Sequence, residues 1–140
     1  MAKIQGYLTL IGDDFDTALV SKLLGRLPTY VREKTEVLGN GQLFGHCEWG
    51  VETELIETDD LPPVSNSLQE IINCPTQLLR KIAQDCNARW NILYYVKVYD
   101  EFPVLWFSAE FIQFVAEIGG SIGFDGYLLG GPDIDEMSML

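Results

Sequence analysis

Cys47-Glu48-Trp49-Gly50-Val51-Glu52-Thr53-Glu54-Leu55 is the stretch that decides the architecture. Its odd positions are Cys47, Trp49, Val51, Thr53 and Leu55, while its even ones are Glu48, Gly50, Glu52 and Glu54. Successive side chains of a strand point to opposite faces. The spacing therefore predicts a strand that buries one face and turns a row of carboxylates to water. That strand is expected to run from Leu43 to Ile56, with His46 on the same face as Glu48. Glu57, Asp59 and Asp60 extend the acid, and no Lys or Arg occurs from Thr35 to Leu79. A negative face without cations suits a basic protein partner better than nucleic acid.

Outward from this strand, helices and strands alternate. Ile4 to Ile11 reads as a strand closed by Gly12. Asp13-Asp14-Phe15-Asp16 then opens a helix with Leu19, Val20, Leu23 and Leu24 as its apolar stripe and Gly25 as its stop. Tyr30 to Leu38 is expected as a second strand, followed by the Gly39-Asn40-Gly41 turn. Thr58 to Asn66 reads as a loop, because Asp59-Asp60 and Pro62-Pro63 oppose regular structure. Ser67-Leu68-Gln69-Glu70 matches a capping box and should start a helix, which Pro75 interrupts. Trp90 to Tyr99 is strongly β, and Val104 to Phe107 reads as a short strand. Ser108 caps a helix carrying Phe111, Ile112, Val115, Ala116 and Ile118, and Ser121 to Leu129 is the last strand. The pattern predicts an α+β fold, an antiparallel or mixed sheet with helices packed mainly on one face. Residues 1–129 are expected to form this single domain, and 130–140 an acidic C-terminal tail.

With 140 residues, 47% hydrophobic and 21% charged, the chain has the composition of one globular domain. The net charge of −12 repels phosphate backbones and anionic membranes, so neither nucleic acid nor membrane is an expected partner. Cys47, Cys74 and Cys86 lack metal-ligand spacing. The opening residues run straight into a strand pattern without an apolar leader, which leads to the expectation of a cytoplasmic protein with reduced thiols.

Catalytic and cofactor chemistry find no support. His46 is the single histidine, which excludes a two-histidine ribonuclease. No G-x-S-x-G elbow occurs, and the glycines around Gly119-Gly120 follow a helix instead of preceding one, the wrong order for a phosphate loop. Asp13, Asp14 and Asp16 lack the spacing of a calcium loop and are better read as helix capping. A row of carboxylates open to water along one strand face suits binding rather than acid–base work. No catalytic residue, metal site or cofactor is therefore assigned.

Tyr7 to Asp16, then Leu23-Leu24-Gly25 and Pro28-Thr29, resemble the opening of a small bacterial family catalogued as a domain of unknown function. Trp49 sits where that family tends to place a tryptophan. Leu105 to Phe111 and Glu117 to Tyr127 are similar to its ending. Members of such families include immunity proteins of contact-dependent inhibition and polymorphic toxin systems, some of whose toxins are EndoU-type ribonucleases. The resemblance implies a protein that binds a cognate toxin domain, a basic nuclease, and occludes its active site. The partner-binding residues expected are His46, Glu48, Glu52, Glu54, Glu57, Asp59 and Asp60. The alternative is a small-molecule or peptide-sensing regulatory domain with a pocket lined by Trp90, Tyr94 and Trp106.

Overall fold

A computed structural model describes residues 1–35, 37–42 and 45–128. The first strand, β1 (Lys3–Gly12), leads into helix α1 (Thr17–Leu24) and the short β2 (Tyr30–Arg32). Next come β3 (Cys47–Glu52), β4 (Ile56–Glu57), α2 (Pro62–Ile72) and α3 (Thr76–Cys86). The long β5 (Ala88–Val98), α4 (Ala109–Glu117) and β6 (Ser121–Leu128) complete the order. The sheet runs β2-β3-β1-β5-β6, and β4 pairs with the other end of β1 beyond β3. All these pairings are antiparallel except β5 with β6, so the sheet is mixed. The α+β class and the single compact domain are as the patterning predicts.

The helices cover one face. Trp49, Trp90, Tyr94 and Phe111 are fully buried among Leu8, Leu10, Ile92 and Val96 from the sheet and Val64, Leu68, Leu79 and Ile82 from the helices. Trp49 donates through Nε1 to Ser21 Oγ of α1 at 2.9 Å and packs edge-to-face on Trp90, with ring centroids 6.2 Å apart. Trp90 in turn donates to the Leu79 carbonyl of α3 at 2.8 Å. A Cβ at Gly6 would stand 2.7 Å from Val64 Cγ1 and 2.9 Å from Leu68 Cδ1, so the missing side chain is what lets α2 seat on β1. Helix ends follow the local chemistry: Asp16 accepts from the Leu19 amide, Gly25 takes the left-handed conformation at φ 65°, and Ser108 accepts from Phe111.

Several boundaries differ from expectation. The charge-segregated strand does not run unbroken to Leu55 or Ile56. Tyr7 pairs with Glu52 and Ile4 with Ile56, so Thr53, Glu54 and Leu55 stand against Gln5 and Gly6 alone. That extra residue is a β-bulge, held by buried Thr53, whose Oγ1 accepts from the Gly6 amide at 3.0 Å and donates to the Glu54 carbonyl at 2.7 Å. Helix α2 starts at Pro62 rather than Ser67, because prolines at the first helical positions give up amides that have no partner there anyway. The second strand stops at Arg32, and Val104 to Phe107 contributes one bridge, Asp60 with Val104, in place of a strand. Leu19, Leu23 and Ile112, placed on helix stripes, are exposed, while Thr17 and Phe114 are buried instead. The expected acidic tail 130–140 and Leu129 lie outside the described residues. Among the described residues no helix is long and apolar enough to cross a membrane.

Candidate functional site

With the helices on one side, the opposite sheet face meets solvent, and no described helix packs on it. Alternation sends Gln5, Tyr7, Thr9 and Ile11 of β1 there, with Asn91, Leu93, Tyr95 and Lys97 of β5. Glu48 and Glu52 come from β3, Tyr30 and Arg32 from β2, and Asp125 and Tyr127 from β6. The face is rich in tyrosine: Tyr95 and Tyr127 lie with centroids 4.9 Å apart, and Tyr7 and Tyr30 meet edge-on at 6.5 Å.

A cleft of about 470 Å³ opens on this face, lined by Tyr7, Thr9, Ile11, Tyr30, Val31, Arg32, Glu48, Glu52, Asn91 and Leu93. Gly50 shapes it. A Cβ there would lie 2.4 Å from Tyr30 Cζ, so the glycine between Glu48 and Glu52 leaves the space that the Tyr30 ring fills. The Tyr30 hydroxyl is held by Thr9 Oγ1, and the Thr29 amide donates to the Gly50 carbonyl at 2.8 Å. Tyr7 donates to Gln5 Oε1 at 3.0 Å, and Gln5 reaches the Thr53 carbonyl at 2.8 Å. Burial raises the Tyr7 phenol above its ordinary value, helped by the Glu52 charge and Tyr95. Tyr30 is raised chiefly by burial, against its Thr9 hydrogen bond, with Glu48, Glu52 and Tyr7 adding to the rise. Negative potential thus reaches both rings.

The residues expected to bind a partner divide into groups. Glu48 and Glu52 line the cleft. The bulge shifts the strand phase, so Glu57 joins the same face opposite Lys3, while Glu54 leaves it for the exposed bulge. His46 lies just before β3, its Nε2 3.5 Å from Glu48 Oε1. Asp59 and Asp60 act in the scaffold: Asp59 Oδ1 accepts from the Ala2 amide at 3.0 Å, and Asp60 Oδ1 from Trp106 Nε1 at 3.1 Å.

The sheet register brings onto the acidic face cations that the Thr35 to Leu79 run lacks. Register sets Arg32 opposite Glu48 and Lys3 opposite Glu57. Glu52 faces Tyr7 instead, and among the described residues no cation lies within ion-pair distance of its carboxylate.

The pocket expected from Trp90, Tyr94 and Trp106 does not form. Trp90 and Tyr94 are fully buried in the core, whereas Trp106 is 46% exposed. Asp16 caps α1 as expected, whereas Asp13 pairs with Lys34 at 3.3 Å and Asp14 lies 3.8 Å from the Cys47 thiol. Among the described residues no cluster of His, Cys, Asp or Glu converges as metal ligands do.

Tyr7, Tyr30, Asn91 and Leu93 are site residues that sequence reasoning missed. The alternation of Ile4 to Ile11 held the signal for Tyr7, and in the Trp90 strand the odd positions Asn91, Leu93, Tyr95 and Lys97 are the more polar set, which held one for Asn91 and Leu93.

Neither the curated proteins nor the solved structures contain a match to this chain. A family model described as a domain of unknown function (DUF4279) matches residues 2–129, nearly the whole of the chain, and the protein belongs to that family.

Proposed function

We propose that this protein is an immunity protein that binds a cognate toxin domain, a basic nuclease such as an EndoU-type ribonuclease, and neutralises it by covering its active site. The observation that carries this reading is the uncovered sheet face, where tyrosines, Leu93 and Ile11 mix with the carboxylates of Glu48, Glu52 and Glu57. Tyrosine-rich surfaces with a polar surround are what protein interfaces use. The −12 net charge favours encounter with a cationic surface. The protein acts by occupancy, with no turnover, in the cytoplasm where such a nuclease meets RNA. Trp90 and Tyr94, which the sensing alternative places in a pocket, are buried in the core.

The test is co-expression with the toxin domain encoded beside the gene. Restored growth, together with a complex stable to size-exclusion chromatography, is the expected result. A folded protein that neither rescues growth nor joins the toxin removes the reading.

A further inference from the structure

The open-face cleft combines features that a simple acidic surface lacks. Tyr7 and Tyr30 present two rings meeting edge to face, and the vacancy at Gly50 and the Thr9 bond set the place of Tyr30. The charges around it are unequal. Glu48 has Arg32 opposite in register and His46 at 3.5 Å. Glu52 stands beside the rings with no cation in ion-pair range among the described residues, its backbone amide fixed by Thr29 Oγ1 at 3.2 Å. Aromatic faces beside a carboxylate fit a planar, weakly hydrated cation better than a compact ammonium, because the guanidinium stacks on rings while its N–H groups reach the carboxylate. The volume of about 470 Å³ falls at the lower end of ligand sites, room for one long side chain and its water.

We infer that this cleft receives the guanidinium of one arginine from the protein partner, stacked against Tyr7 and Tyr30 and bonded to the Glu52 carboxylate. This rests on reading the open face as a docking surface. It commits that surface to a single cationic anchor instead of a diffuse acidic row. An arginine that a nuclease keeps for phosphate is of the right chemistry, and capturing it would silence the enzyme directly.

The cleft can be tested without the partner. Nα-acetyl-arginine methylamide is titrated into the ¹⁵N-labelled protein, with the neutral isostere Nα-acetyl-citrulline methylamide as control. The arginine probe should give saturable shifts centred on Tyr7, Tyr30, Gly50 and Glu52 in the millimolar range, and citrulline none. Glu52→Gln, nearly isosteric and half-exposed, should weaken the probe by about fivefold, the scale of one accessible ion pair. The spectrum itself reports whether that variant is folded, and the citrulline comparison on the unaltered protein stands without it. Absent or unsaturable shifts, equal response to citrulline, or undiminished binding by folded Glu52→Gln would each overturn the inference. Failure of the probe with toxin rescue intact removes the arginine anchor alone. Failure of rescue removes the immunity reading and leaves the probe result to stand by itself.

Discussion

Trp49 shows how one residue carries both a local and a global role. It occupies an apolar slot of the segregated strand, is fully buried, and ties β3 to α1 through Ser21. Trp49→Ala should cost about 3–5 kcal/mol in urea denaturation, the range for large aromatic truncations. Trp106→Ala, at an exposed site, should cost much less. Tyr94 makes a pH prediction. Burial pushes its phenol up to about 12, against the Ser65 hydrogen bond, which lowers it. The unfolded chain ionises this group near pH 10 and the folded one later, so the contribution is complete below pH 10. It is lost as pH climbs towards 12, on the order of 2–3 kcal/mol in all. Denaturant midpoints measured from pH 8 to 11.5 should fall more steeply for the natural protein than for Tyr94→Phe. Trp49 was legible from alternation alone. The buried place of Tyr94 was legible in the same way, since it shares a face with Trp90, Ile92, Val96 and Val98 while Asn91 and Lys97 mark the other, a phase that the expected Trp90, Tyr94 and Trp106 pocket ignored.

At the scale of elements, the bulge at Thr53 is the feature that alternation could not reveal. Threonine fits an apolar slot of a strand as well as it fits a bulge, so the pattern reads straight through to Leu55. The consequence reaches the open face: Glu57 moves onto it and Glu54 off it. Thr53→Val keeps the shape but leaves the Gly6 amide and Glu54 carbonyl without their hydroxyl partner in a buried place, and should cost about 1–3 kcal/mol. Thr53→Ser should recover most of that in the same denaturation series. The two prolines at 62 and 63 misled in a related way. Read as breakers they argue for a loop, yet at a helix start their fixed φ favours the first turn. The strong signals, the β1 and β5 strands and the Asp16 and Ser108 caps, appear within a residue or two of their expected places.

For the whole molecule, charge had to be recounted after folding. A cation-free run from Thr35 to Leu79 looked like an unbalanced acidic face. Arg32 and Lys3 come from strands distant in sequence and stand opposite Glu48 and Glu57, an arrangement only the register discloses. What remains is a tyrosine-rich sheet face whose cleft holds Glu52 with no cation in ion-pair range among the described residues. We propose that this face, and not the helical side, meets the toxin. That proposal is tested most directly by the affinity of a basic nuclease toxin domain, if one is found encoded next to the gene, for Glu52→Lys/Glu57→Lys beside a helical-side control, Glu70→Lys, with thermal melts of each. Like charges set against a cationic partner should weaken the open-face variant by about 100-fold or more without lowering its melting temperature appreciably, and Glu70→Lys should bind as the natural protein does. A folded open-face variant of undiminished affinity, or a loss confined to Glu70→Lys, would contradict the account.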